Sequence, residues 1–175
     1  WKRYIPSDFT YILDLPRVND DRARRYYLRL LQDLISALDA KFQVKITDEA
    51  LRSAIDIHNE TRSLLRKLYS FRGKISEREI WDIISRSVTE PKREFNEWLR
   101  GYLGELEDAE EQDITDKPKI LISGSMLGHS RLWELVEETG GIVISDDLCM
   151  GTRYFYEDVD ASLPPLEALA DYQFR

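Results

Sequence analysis

The sequence predicts an α/β protein: a small parallel sheet of about three strands, layered with helices, and an inserted helical block. Three observations predict it. Two short apolar, β-prone runs, at 120–122 and 142–144, flank a segment of helical periodicity, the pattern of a β–α–β unit. A further β-prone run at 9–13 is stopped by Asp14-Leu15-Pro16. The stretch 47–111 carries helical spacing with short connections. The expected architecture is a Rossmann-like three-layer arrangement. Residues 1–46 would be the end of an N-terminal α/β domain with its connecting helix, 47–116 the helical block, and 117–175 the start of a second Rossmann-like α/β domain.

Each element has a local cause. Asn19 or Asp20 can cap a helix over 21–42, whose apolar stripe is Tyr27, Leu30, Leu31, Leu34, Ile35 and Leu38. Thr47 caps a second helix over 48–71, closed by Gly73, with Leu51, Ala54, Ile55, His58, Leu65 and Leu68 inward. Ser76-Glu77-Arg78-Glu79 is a capping box that opens a third helix, with Ile80, Ile83, Ile84 and Val88 inward. Thr89 and Pro91 start a fourth over 92–107, striped by Phe95, Trp98, Leu99, Tyr102, Leu103 and Leu106. Gly101 and Gly104 weaken that helix and predict close packing or a bend. The acidic run 105–116 reads as a solvated helix end and linker.

The period then changes. Residues 120–122 read as a buried strand of the parallel type. Gly124 and Ser125 turn the chain into a helix over 130–138, which carries Leu132, Trp133, Leu135 and Val136. Gly140-Gly141 ends it, and the next buried strand begins at Ile142. Pro164-Pro165 precedes a last helix over 166–172.

Composition bounds the function. With 42% hydrophobic and 33% charged residues, the chain is globular rather than disordered. Its net charge of −8 argues against non-specific nucleic-acid binding, which needs a basic surface. No apolar run approaches the length of a membrane span. A single cysteine rules out an internal disulfide framework and fits a reducing compartment. The first residues after Trp1 already read as part of a fold, so the expectation is a fragment of a larger subunit.

Chemistry concentrates after Ile144. There Ser145-Asp146-Asp147-Leu148-Cys149-Met150-Gly151-Thr152-Arg153 leaves a strand for a loop, where open α/β sheets place their ligands. A lone thiol beside a glycine is there a candidate metal ligand or nucleophile; the alternative is a small buried hydrophobe. The loop 123–129, with Gly124, Ser125 and His129, joins a strand to a helix N-terminus, a place that can hold an anion or be a simple turn. It matches neither the dinucleotide nor the Walker pattern. His129 is open to a role as base or ligand, and His58 with Asn59 and Arg62 reads as helix packing or interface. This segment alone lacks the ligands for a zinc site or an iron–sulfur cluster, and it has no G-x-S-x-G elbow.

Three pieces resemble a known family: Ile120-Leu-Ile-Ser-Gly-Ser125, Leu135-Val-Glu-Glu-Thr-Gly-Gly141 and Ser145-Asp-Asp-Leu-Cys-Met-Gly-Thr-Arg-Tyr154. They are similar to the 2-hydroxyacyl-CoA dehydratase and benzoyl-CoA reductase subunits, the family of the 2-hydroxyglutaryl-CoA dehydratase D-component. Leu13-Asp-Leu-Pro16, the pattern from Leu51 through Asn59 to Arg62, and Ala168-Leu-Ala-Asp-Tyr172 match more loosely. The resemblance implies a cytoplasmic enzyme of anaerobic metabolism. It implies a heterodimer with a second homologous subunit, both of them carrying a 4Fe–4S cluster on three cysteines. A separate ATP-hydrolysing iron–sulfur activator would deliver an electron, and an acyl-CoA thioester would be reduced to a ketyl radical that expels its 2-hydroxyl group. Related electron delivery serves aromatic-ring reduction in the benzoyl-CoA reductases.

Carried onto this sequence, Cys149 would be one cluster ligand and Gly151 would let its loop pass close to the cluster. Gly124 and Ser125 would line the same cleft. From chemistry alone, Asp147 and Arg153 would orient the site. The other two cysteines of the family pattern are absent, so the expectation is the middle of a subunit roughly twice as long, inactive by itself. Two alternatives stand beside this: a double-cubane-cluster reductase of the same superfamily, and a non-catalytic helical interaction module. The module predicts a fully buried Cys149.

Overall fold

The computed structural model describes residue 4 and residues 6–110, 113–127 and 130–174. Among these the elements run α1 (Asp21–Phe42), α2 (Asp48–Tyr69), α3 (Glu77–Thr89), α4 (Lys92–Glu107), β1 (Lys119–Ser123), α5 (Arg131–Glu138), β2 (Ile142–Asp147), α6 (Thr152–Phe155) and α7 (Pro165–Tyr172). The fold is mixed α/β, mostly helical, with a two-stranded parallel sheet. The chain divides into two compact units, residues 1–56 with 159–175, and residues 57–158.

In the first unit, Asp20 begins α1 by accepting the Ala23 N–H at 2.8 Å, and Gln43 ends it in the left-handed region at φ 54°. The α1 stripe meets α7 and the residues after it. Tyr27 packs edge-on against Phe174 with ring centroids 5.8 Å apart, and Arg24 pairs with Asp171 at 2.8 Å. Ile55, Val159 and Ala168 form the small core beside them.

The expected strand over 9–13 does not form. The segment has no regular structure, Ile12 is exposed, and Phe9 leans on Phe42 with centroids 5.7 Å apart. A strand needs a hydrogen-bonded neighbour, and the described residues of this unit contain no other strand. Among the described residues the sheet is therefore two-stranded, not the expected three-stranded Rossmann-like one.

The second unit has two cores. The end of α2 packs with α3, α4 and α6 around Leu65, Leu68, Ile80, Phe95, Leu99 and Phe155. Ser76 caps α3 by accepting the Glu79 N–H at 3.1 Å. Buried Thr61 donates to Asn96 Oδ1 at 2.7 Å, tying α2 to α4. Val88, expected inward, is exposed. Ser87 takes the buried place and satisfies its hydroxyl on the Ile84 carbonyl. Ala54 and His58, also expected inward, are exposed, while Ile55 and Thr61 are buried. Gly101 and Gly104 are not closely packed: nothing lies within 4 Å of an added Cβ at either.

The second core lies under the sheet. Trp133 and Val136 of α5 pack with Val143, Leu148 and Trp81, and Ile120 and Ile122 close its edge. Gly140, at φ 81°, takes the left-handed turn that ends α5 and returns the chain to β2. The strands were expected to be buried on both faces. Only one face is covered: Leu121 and Ile144 on the other are 63% and 50% exposed.

The register breaks once. Ile120 pairs with Val143, but Leu121 pairs with Ser145, so Ile144 is an extra residue in β2. In a strand a one-residue shift exchanges the two faces. Before the bulge Val143 is buried; after it Asp146 and Leu148 are buried, and Cys149 is exposed. No helix among the described residues is long and apolar enough to cross a membrane.

Candidate functional site

The site is the turn that follows β2. Its chain reverses through a hydrogen bond from the Gly151 N–H to the Leu148 carbonyl at 3.1 Å, and Gly151 then leads into α6. Cys149 stands at the tip, exposed and unpaired as a disulfide. Arg153 lies beside it. Its Nη1 donates to Cys149 Sγ at 3.8 Å and approaches the Gly124 carbonyl at 3.5 Å.

Asp147 holds that guanidinium with both oxygens, Oδ1 on Nε and Oδ2 on Nη2, each at 2.5 Å. Ser123 adds a hydroxyl donor to Asp147 at 3.1 Å. The hydrogen bond from Arg153 holds the Asp147 carboxyl below the usual carboxylate range, and Asp147 raises Arg153 in return. Gly124 donates its N–H to the Asp147 carbonyl at 3.2 Å, so the end of β1 is tied to the same turn. Ser125 is exposed in the adjoining loop. Gly124, Asp147, Cys149 and Arg153 thus come together as one polar surface. His129 and Gly128 lie outside the described residues.

Beneath this surface is a second, buried layer that sequence reasoning missed. Asp146 has a fully buried side chain. Its Oδ2 accepts from Tyr69 Oη at 2.5 Å and from Arg72 Nη2 at 3.1 Å, and its Oδ1 accepts the Thr152 N–H at 2.8 Å. Arg72 also donates through Nη1 to the Val143 carbonyl at 2.5 Å and lies over the Tyr69 ring, 4.2 Å from its centroid. Burial, and then the Asp146 charge, push the Tyr69 hydroxyl well above its ordinary pKa, so it stays a donor. Gly151 is required by this layer. A Cβ there would fall 1.9 Å from Asp146 Oδ1.

Glu77 is the outer member, 3.6 Å from Arg72 and buried. Its carboxyl oxygens have no hydrogen-bond partner among the described residues, and burial pushes its pKa up to about 7. One signal for this layer was legible: a carboxylate at the end of an apolar strand must find a cation if it turns inward. Which cation it finds is a tertiary fact, since Arg72 is distant in sequence.

Among the described residues no group of three or more His, Cys, Asp or Glu side chains could hold a metal ion. Cys149 offers one exposed thiol with the Arg153 cation beside the sulfur, and the described residues do not complete a ligand set.

The chain is similar to known proteins over most of its length. The chain is 27% identical over 177 residues to a benzoyl-CoA reductase subunit of Thauera aromatica, covering 97% of this chain and 46% of that protein. It is 24% identical over 178 residues to the beta subunit of lactoyl-CoA dehydratase from Anaerotignum propionicum, covering 97% and 46%. Over 131 residues it is 23% identical to the (R)-phenyllactyl-CoA dehydratase beta subunit of Clostridium sporogenes, covering 73% and 35%. The chain thus spans less than half the length of these curated relatives. The family model "2-hydroxyglutaryl-CoA dehydratase, D-component" matches residues 1–175, and the chain belongs to that family.

Proposed function

We propose that this chain is the central part of an iron–sulfur subunit of a 2-hydroxyacyl-CoA dehydratase or benzoyl-CoA reductase, with Cys149 as one thiolate ligand of a 4Fe–4S cluster. The observation that carries the reading is the exposed Cys149 thiol on a turn pinned from both sides, with Arg153 beside it. An interaction module would have buried that residue. The relatives' names, a reductase subunit and two acyl-CoA dehydratase subunits, support the substrate class, an acyl-CoA thioester. Their being subunits supports a partner subunit; that this partner is homologous, and that an ATP-dependent iron–sulfur activator is the electron donor, belong to the proposal.

The cluster, when bound, supplies one-electron reduction at low potential. The chain's own residues do the rest. Asp147 holds the Arg153 guanidinium through Nε and Nη2, which leaves Nη1 toward the sulfur. The Arg153 cation would then lie beside the ligating sulfur. Gly124 and Ser125 keep the facing loop free of bulk, so that a thioester can approach.

The test is iron content and the EPR spectrum of the full-length subunit, purified without oxygen together with its partner, for wild type and Cys149→Ala. Loss of this subunit's share of the iron, with the partner's cluster retained, is expected in the variant. Equal iron in both removes Cys149 from the ligand set.

A further inference from the structure

We propose that Arg72 and Asp146 form a clamp across the β2 bulge, and that this clamp positions the Cys149 thiol by fixing which way the end of the strand faces. The inference rests on the reading of Cys149 as a ligand only for its purpose; the geometry stands without it.

The bulge decides the direction of Cys149. Ile144 has no partner in β1, and beyond it the inward positions are Asp146 and Leu148 while Cys149 faces out. If the extra residue were drawn back into register, the faces would exchange. Asp147 would turn in, Asp146 out, and the thiol would follow Asp147 inward. Something must hold the strand in the bulged register, because backbone pairing alone favours the regular one.

Arg72 touches both sides of the extra residue. Nη1 takes the Val143 carbonyl just before Ile144, and Nη2 takes the Asp146 carboxylate just after it. The guanidinium is planar and its donors are fixed, so one side chain measures the distance across the bulge. Its own position is set by the Tyr69 ring beneath it and by Glu77 at 3.6 Å. Asp146 then carries the constraint forward. Its other oxygen receives the Thr152 N–H, which closes the turn holding Cys149 from behind, and Gly151 leaves room for that contact. Asp146 is fully buried, so the register that places it inward is stable only where a cation meets it. Arg72 and Asp146 touch neither the thiol nor the surface around it in this arrangement, so they are positioning residues.

The experiment measures the alkylation rate of Cys149 by iodoacetamide in the full-length subunit with its partner, after iron removal, followed on the peptide that contains Cys149. Arg72→Met should slow alkylation by about tenfold or more, the factor that corresponds to one hydrogen bond to a charged group. Arg72→Lys, which reaches one side of the bulge, should restore part of the rate. Lys67→Met is the control, on the helix that precedes Arg72; Lys67 pairs with Glu107 on the surface, and its variant should alkylate like wild type. A folded Arg72→Met variant that alkylates at the wild-type rate, or faster, overturns the clamp.

If Arg72→Met does not fold, Asp146→Asn replaces it, since it removes the charge that Arg72 Nη2 meets across the bulge and keeps the size of the side chain. Slower alkylation then supports the clamp, and an unchanged rate overturns it. The two readings fail separately. Cys149→Ala with full iron removes the ligand role, while slowed alkylation in Arg72→Met still supports the clamp, because that readout is taken without a cluster.

Discussion

Gly151 and Asp146 occupy adjoining space with no margin, and substitutions there should be felt at once. Gly151→Ala forces its methyl onto Asp146 Oδ1, and neither the buried carboxylate nor the turn has room to yield. A loss of about 2–3 kcal/mol is expected, the range of overpacked sites, measured as a shift in the urea midpoint. Glu77 makes a pH-dependent prediction. Its folded pKa of about 7 lies above the ordinary 4.5, so the folded state holds its proton more tightly than the unfolded chain does. The stability this contributes is complete below about pH 4.5 and is lost as pH rises through about 7. Glu77→Gln keeps the neutral shape at every pH. Relative to wild type it should therefore gain stability between pH 5 and pH 8, by up to roughly 3 kcal/mol, in paired thermal melts. At this scale Cys149, Asp147 and Arg153 were legible in the sequence because they sit within one turn of each other. Arg72, Tyr69 and Glu77 were not, because burial and a distant carboxylate give them their meaning.

Helices, with their spacing and caps, were the elements most readable from sequence. Asp20 and Ser76 cap where their side chains predicted, and the bounds of α1 and α4 follow the apolar stripes. Ser76→Ala should cost about 1 kcal/mol by removing the acceptor for the Glu79 N–H, seen as a lower melting temperature. Thr61→Val should cost a similar amount or more, about 1–2 kcal/mol, since it leaves buried Asn96 Oδ1 without its donor. Strands were less readable. The 9–13 run has a strand's composition and no partner, and no local pattern reports a partner's absence. The bulge was also invisible, because Ile142-Val143-Ile144 reads as one uniform apolar run. α6 was missed for a different reason: it is a single turn, closed by the Gly151 carbonyl, and too short to show periodicity.

Across the molecule, each unit has its own core, and a core substitution should act first where it is made. Phe95→Ala empties a fully buried position in the second unit and should cost about 3–5 kcal/mol. Native-state hydrogen exchange should then show α3 and α4 amides losing protection, while α1 and α7 amides keep more of theirs. The net acidity, the helical block and the β–α–β pattern were all legible at this scale, and the resemblance led to the family that the whole chain matches. What pattern alone could not supply was the number of strands, since that depends on pairing. The packing under the sheet also has an optical use. Trp81 and Trp133 stack with their ring centroids 5.3 Å apart, one on α3 and the other on α5. Two indoles so close couple their electronic transitions, and the coupling ends when the helices part. Near-ultraviolet circular dichroism therefore gives this protein an unlabelled gauge of whether the floor beneath the cysteine turn is closed.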